Sequence, residues 1–212
     1  EADYVIIANP DIHVTPRCIR RVKDALDKTQ GAVAASARVK DPMGGELFSY
    51  WTLLPLWKDL LDTGLVTRRL FKAMLNTPSY RLAYAGDEDC RLVDAVPGSF
   101  FMLKTGILTP GAIKEVFDKH IFLYYEEKVL GQKFRKMGLK TVLVTDESYV
   151  HAHSVSIDKS FKRIVDKQRL LHRSKLYYYK EYLGTGPAGM AAARAVLGLV
   201  LAEVWFLTVV CR

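Results

Sequence analysis

Tyr4-Val-Ile-Ile-Ala8 is a run of apolar residues that leads directly into Asn9-Pro10-Asp11. An uninterrupted apolar run of this length is typical of a strand that is buried on both faces. Open α/β sheets bind their ligands just beyond the carboxyl ends of such strands. The sequence therefore predicts a buried strand over residues 3–8, with Asp11 at the ligand-binding edge of the sheet.

Outward from this strand, strands and helices are predicted to alternate. Thr15 and Pro16 have the residue types of a helix N-cap and of a first helical position, which predicts a helix over residues 16–28. Further strands are predicted at 31–39, 91–96, 99–104 and 140–145, and further helices at 46–76, 113–118, 126–137 and 159–182. This order predicts an α/β fold with a mostly parallel, Rossmann-like sheet, flanking helices, and basic and apolar helices at the C-terminal end.

The composition is that of a globular protein. Of the 212 residues, 50% are hydrophobic, which is far more than a disordered chain carries. Cys18, Cys90 and Cys211 are far apart and odd in number, which favours a reducing compartment over a disulfide framework. Residue 1 is Glu and a strand follows almost at once, so we expect the N-terminal strands of the domain to be missing.

Positive charge and apolar residues are concentrated at the C-terminal end, which divides the chain into 1–157 and 158–212. Residues 158–181 hold eight Lys or Arg and three acidic residues, and so supply +5 of the net charge of +8. The apolar segment that follows is interrupted by Glu203. A basic helix and an apolar helix together favour binding to an anionic membrane surface. The 17 residues between Arg194 and Arg212 leave open whether this segment spans the membrane or lies in its interface.

Two further stretches carry residues suited to chemistry on a diphosphate. Phe122-Leu-Tyr-Tyr-Glu-Glu127 ends in paired carboxylates at a predicted helix start, where the macrodipole favours their charged forms. Tyr149-Val-His-Ala-His-Ser-Val-Ser156 follows a predicted strand. Turns, helix-start charges and surface histidines explain each motif alone. It is the order of the motifs along the chain that favours a single site.

The ordered motifs resemble those of family-2 glycosyltransferases with the GT-A fold, most closely the bacterial rhamnosyltransferase-like members. The segments that carry the resemblance are Asn9-Pro10-Asp11, Val96-Pro-Gly-Ser-Phe-Phe-Met-Leu-Lys104, Phe117-Asp-Lys-His-Ile-Phe-Leu-Tyr-Tyr-Glu-Glu127, Arg135-Lys-Met-Gly138 and His151-Ala-His-Ser-Val-Ser156. The resemblance covers residues 2–157. It implies a partial GT-A domain that lacks the N-terminal nucleotide-binding strands.

The resemblance implies transfer of a sugar from a dTDP- or UDP-sugar donor to a glycan or lipid-linked acceptor in cell-surface polysaccharide or cell-wall synthesis. By the same resemblance, Asp11 and His151 would hold Mg²⁺ or Mn²⁺. Asn9, Asp11 and Ser156 would contact the donor. The enzyme would then work at the cytoplasmic face of the cell membrane.

The remaining site residues come from the two middle motifs. Glu127 stands where the family usually has an Asp as general base, and Glu126 is the alternative. Gly98 and Ser99 are expected on the acceptor or donor-sugar side, because a Pro-Gly turn between strands allows close approach of the backbone. Asp94 is assigned to the acceptor side with them.

A different class of function also explains part of the sequence. A non-catalytic basic adaptor could bind a membrane or a nucleic acid through residues 159–180, which accounts for the charge and the apolar tail. It does not account for the ordered motifs. The chain lacks the aromatic–basic pattern of a recognised RNA-binding module, so we expect no nucleic-acid partner.

Overall fold

The computed structural model describes residues 2–71, 74–75, 89–109, 111, 115–121, 123–152 and 164–210. The chain divides into two compact units. The first takes the ranges 1–53, 79–118 and 126–153, and the second takes 54–78, 119–125 and 154–212. The predicted segment 158–212 thus lies in the second unit, together with two segments from the middle of the chain.

The elements follow one another along the chain in this order: β1 Tyr4–Ala8, β2 Ile12–His13, α1 Pro16–Lys28, β3 Ala32–Lys40, α2 Leu56–Leu61, α3 Leu65–Leu70, β4 Cys90–Val93, β5 Phe100–Lys104, α4 Glu126–Lys136, β6 Lys140–His151, α5 Ile164–Glu181 and α6 Pro187–Trp205. A 3₁₀ turn at Thr105–Ile107 follows β5, and a π-helical segment at Phe206–Val210 continues α6. These six strands belong to the first unit.

The sheet is mixed, and the predicted mostly parallel sheet is wrong. The strand order is β1-β5-β3-β6-β2, and β4 also pairs with β6. Among the described strands, β3 and β6 pair in parallel and the other four pairings are antiparallel. Parallel neighbours need a crossover connection. β5 lies between β1 and β3 and runs antiparallel to both, which makes the sheet mixed.

The position of β1 also differs from the prediction. β1 lies at the end of the strand order, and Val5 and Ile6 are 42% and 44% exposed. β3 and β5, in the interior of the strand order, are buried on both faces. Val33 belongs to the core cluster that includes Phe134 of α4, whereas Val39 belongs to the cluster that includes Leu26 of α1. An apolar run identifies a strand, but its depth in the sheet depends on pairings that the run does not contain.

Predictions that rest on local signals are confirmed. The Thr15 side chain accepts a hydrogen bond of 3.1 Å from the Cys18 N–H, and α1 has the predicted bounds. α4 ends near Gly138, whose φ of 70° is the left-handed conformation that glycine adopts at helix ends. The predicted helix at 46–76 is instead two short helices, α2 and α3. Of the helix predicted at 113–118, residues 115–118 are described and are not helical, and 113–114 lie outside the described residues.

The elements described in the second unit are the helices α2, α3, α5 and α6 and the π-helical segment after α6. The segment Pro187–Thr208 is 22 residues long, has a mean hydropathy of 1.8, and is therefore long and apolar enough to cross a membrane. In the interior of this unit, Lys175 of α5 lies 3.0 Å from the carboxylate of Asp59 in α2. The predicted apolar C-terminal helix is confirmed, and so is part of the predicted basic helix.

Candidate active site

The candidate site lies at one edge of the sheet. β1 and β3 are both antiparallel to β5, and β6 is parallel to β3, so the carboxyl ends of β1, β3 and β6 meet at one edge. The amino end of β5, which begins just after Ser99, lies at this same edge. The Asn9 N–H donates to the Ser99 carbonyl at 2.9 Å, and the Ala152 N–H donates to the Asp11 carbonyl at 3.1 Å. Three motifs that are distant in sequence therefore converge here.

Asp11 and His151 are side-chain neighbours, as predicted. Asp11 Oδ1 lies 3.4 Å from His151 Nε2, and the two side chains are 29% and 11% exposed. The two residues are held close together because Ile12 of β2, next to Asp11, pairs with His151 of β6. Two cis ligands of a small divalent cation lie roughly 3 Å apart when each bond is about 2.1 Å. The observed separation is close to this value, so the pair fits a Mg²⁺ or Mn²⁺ site.

The described residues supply only part of a coordination shell. Within them there is no group of three or more His, Cys, Asp or Glu that could hold a metal ion. Mg²⁺ commonly takes one or two protein ligands and completes its shell with phosphate oxygens and water. The pair of Asp11 and His151 is consistent with that pattern. The predicted donor ligand Ser156 lies outside the described residues.

Glu127 is held by the turn that precedes β5. Its Oε1 accepts a hydrogen bond of 3.2 Å from the Gly98 N–H. A Cβ atom built on Gly98 would lie 3.3 Å from that same oxygen, which is closer than ordinary contact. The glycine thus lets the backbone approach the carboxylate, as the Pro-Gly turn predicted.

The two carboxylates at the start of α4 hold protons more tightly than free side chains do. Burial raises the pKa of Glu126 to about 7, and the charge of Glu127 adds to this effect. Burial also raises the pKa of Glu127, although the Gly98 N–H opposes the shift. Glu126 Oε2 is buried, and no described residue forms a hydrogen bond with it. The predicted preference for the charged forms at a helix start is thus outweighed by burial.

Tyr149 is a site residue to which the sequence analysis gave no role. Its hydroxyl lies 2.7 Å from Ser99 Oγ, and both side chains are buried. Its pKa is raised by burial above all, and the charge of Glu127 also contributes, which places Glu127 within electrostatic reach. The period of two along a strand could have identified it, because Tyr149 and His151 lie on the same face of β6.

Asp94 does not join this edge. It follows Val93, which pairs with Thr141 at the amino end of β6, roughly 30 Å along the strand from His151. Its carboxylate accepts from the Leu53 N–H at 2.8 Å and pairs with Arg135 at 2.7 Å. It lines a separate cavity of about 520 Å³. These contacts give Asp94 a structural role in fixing the segment before α2.

Comparison of the chain with models of protein families gives no match, and comparison with curated protein sequences gives no significant match. A functional interpretation therefore rests on the geometry of this edge and on the motif resemblance.

Proposed function

We propose that this chain transfers a sugar from a nucleoside-diphosphate donor to a hydroxyl group of a glycan or lipid-linked acceptor in cell-surface glycan synthesis. The supporting observation is the meeting, at one sheet edge, of a carboxylate–imidazole pair, Asp11 and His151, with a carboxylate pair of raised pKa, Glu126 and Glu127. These are the two kinds of group that such a transfer needs, one for the diphosphate and one for the acceptor proton.

Asp11 and His151 would hold Mg²⁺ or Mn²⁺ on the donor side. A bound divalent cation would neutralise the charge of the departing diphosphate. Asn9 lies beside this pair, and its backbone is tied to Ser99. Ser156 remains a predicted donor contact.

Glu127 is the proposed general base. The acceptor hydroxyl attacks the anomeric carbon of the sugar, the bond from that carbon to the diphosphate oxygen breaks, and the hydroxyl proton passes to the Glu127 carboxylate. A base works best when its pKa is close to the working pH. Burial moves the pKa of Glu127 in that direction, and the Gly98 N–H fixes one of its oxygens. Glu126 is the alternative base because its pKa is raised to about 7.

Gly98 and Ser99 form the proposed floor beneath the reacting groups. The Ser99 hydroxyl is engaged with Tyr149, so its role is to shape this floor. The apolar helix α6 supports a location at the membrane, which we propose to be its cytoplasmic face, where a lipid-linked acceptor would be anchored.

The experiment that tests this function is release of nucleoside diphosphate from a panel of dTDP- and UDP-sugars. The full chain is incubated with a bacterial lipid extract as acceptor, with Mg²⁺ or with a chelator. Turnover that needs both the metal and Glu127 supports the proposal. Binding to lipid with no turnover for any donor, or turnover equal to that of Glu127→Gln, contradicts it. The first of these outcomes favours the non-catalytic adaptor.

A further inference from the structure

We propose that the second unit docks on the surface of an anionic lipid bilayer through α3 and the outer face of α6 together, and that α6 lies in the interface without spanning the bilayer. The inference deepens the membrane part of the proposed function and does not depend on the catalytic part. It assigns a membrane contact to α3. It also decides whether the apolar segment spans the membrane or lies in its interface, which the sequence leaves open.

The second unit exposes large apolar side chains along both helices. Leu70, at the end of α3, and Leu199, near the middle of α6, are each 72% exposed. The other exposed large apolar side chains of these two helices, and of the residues that directly follow them, are Leu65, Val66, Phe71, Met74, Trp205, Phe206 and Leu207. Trp57 in α2 is exposed as well. Scattered exposed apolar residues are ordinary, but a set that includes two tryptophans is typical of a membrane-interface surface.

Glu203 of α6 connects this helix to the start of α3 through hydrogen bonds. Its Oε1 and Oε2 accept hydrogen bonds of 3.2 Å from the N–H groups of Val66 and Leu65, the first residues of α3. The carboxylate is therefore satisfied by backbone donors that a helix start leaves without partners. Because this cap fixes α3 beside Glu203, α3 enters any apolar phase that this end of α6 enters.

The packing of α6 opposes a transmembrane orientation. One stripe of the helix is buried within the unit, at Met190, Ala193, Leu197, Val200 and Val204. α5 packs against α6, and its residues Arg169, Arg173 and Lys180 are exposed. A span would draw these charges towards the hydrocarbon, where a charged side chain is unfavourable. A helix in the interface keeps its buried stripe on the unit and its outer face on the lipid.

The charges around the apolar surface match an anionic bilayer. Arg69 is exposed at the end of α3, and Arg194 is exposed on α6. Lys58 lies over the ring of Trp57, 5.3 Å from its centroid. Long basic side chains at an interface extend to the headgroups while their stems lie on apolar surface. These residues complement anionic headgroups, which favours a lipid surface over a second copy of the same basic chain.

The test is flotation of the full chain with vesicles of phosphatidylcholine, with and without phosphatidylglycerol. Leu70→Ser with Phe71→Ser should weaken partitioning by about tenfold, because two apolar side chains leave the lipid. Met43→Ser is the matched control, since Met43 is 96% exposed in the first unit, and it should change nothing. Arg69→Glu should weaken binding severalfold, only to the anionic vesicles and only at low salt.

Orientation is tested with tags at both ends of the full chain in sealed inverted membrane vesicles. Protease should remove both tags if α6 lies in the interface. Protection of the C-terminal tag alone would mean that α6 spans the bilayer and would overturn the proposal. Equal flotation of the α3 variants and the Met43 control would also overturn it. Absence of binding to the anionic vesicles would overturn it too, and a dimer that the α3 substitutions dissociate would then assign this surface to a second copy of the chain. Flotation measures lipid binding and not catalysis. The test therefore remains valid if the chain has no catalytic activity.

Discussion

The backbone N–H of Gly98 donates a hydrogen bond of 3.2 Å to Glu127 Oε1, and this bond joins the turn before β5 to the first turn of α4. The position of the proposed base therefore depends on the backbone of the proposed acceptor floor. A change at Gly98 should alter catalysis through the carboxylate even when the fold is retained.

Gly98→Ala should lower turnover by about tenfold, and Gly98→Val should lower it further. The added Cβ would lie 3.3 Å from Glu127 Oε1, so the carboxylate or the turn must shift. Moving a positioned base away from its productive geometry is sufficient for a tenfold loss of rate. Gly106→Ala is the control, since a Cβ there meets nothing within 4 Å. Steady-state rates and acceptor KM for the three variants check this, and a Gly98→Val enzyme with normal values would remove Gly98 from the site.

Glu127→Gln should lower turnover by at least about a hundredfold, the usual scale for loss of a positioned base. Glu126→Gln is the matched comparison, because it removes the neighbouring carboxylate and leaves the Gly98 contact in place. Its effect should be much smaller. Single-turnover rates with the metal and donor saturated measure the difference. If the two effects are reversed, the base is Glu126.

Local signals in the sequence predicted more of the fold than non-local ones. The N-cap Thr15 and the bounds of α1 depend on neighbouring residues and were correct. The mixed sheet was not predicted because β5 inserts between β1 and β3, and no short segment encodes such a pairing. For the same reason the apolar run of β1 did not reveal that it is an edge strand.

The candidate site was predictable where a general rule connects distant segments. The carboxyl ends of strands that run in one direction lie at the same edge of a sheet. This rule predicted that Asp11 and His151 lie close together, and the structure confirms it. Asp94 follows a strand of the opposite direction and lies elsewhere. The raised pKa of Glu126 depends on burial by tertiary structure, which the helix-start pattern does not contain.

Stability should depend on pH through Glu126. Its folded pKa of about 7 lies above its ordinary value of 4.5, so between these values the folded state keeps a proton that the unfolded chain has released. The stability contributed by this proton is fully present below about pH 4.5 and is lost as the pH rises through about 7. Relative to Glu126→Gln, the wild-type chain should lose at most about 3 kcal/mol over this window. Urea unfolding of both proteins at several pH values measures the difference, and parallel curves would contradict the assignment.

Asp11→Asn and His151→Ala should each weaken metal-dependent binding of a nucleoside diphosphate by at least about tenfold. Each substitution removes one of two proposed ligands, while the fold at the edge retains its backbone hydrogen bonds. Calorimetric titration with UDP or dTDP, with Mn²⁺ and with a chelator, is the measurement. His13→Ala is the control, because His13 is exposed on β2 close to the pair in sequence. Equal metal dependence in all four proteins would show that the pair is a simple ion pair.

The second unit should be most sensitive to substitutions at its buried ion pair. Lys175 Nζ lies 3.0 Å from Asp59 Oδ2, with side chains 5% and 1% exposed, and the Tyr179 hydroxyl donates to the same oxygen at 2.6 Å. The Tyr125 hydroxyl donates to it as well, and burial together with the charge of Asp59 raises the pKa of both tyrosines.

Asp59→Asn leaves the Lys175 charge buried beside a neutral partner and should cost about 3–5 kcal/mol. Lys175→Met combined with Asp59→Asn should cost less than Asp59→Asn alone, because no buried charge remains. Urea unfolding of Asp59→Asn, Lys175→Met and the double variant, monitored by tyrosine fluorescence, completes this double-mutant cycle. Additive costs in the cycle would show that the two charges do not stabilise each other.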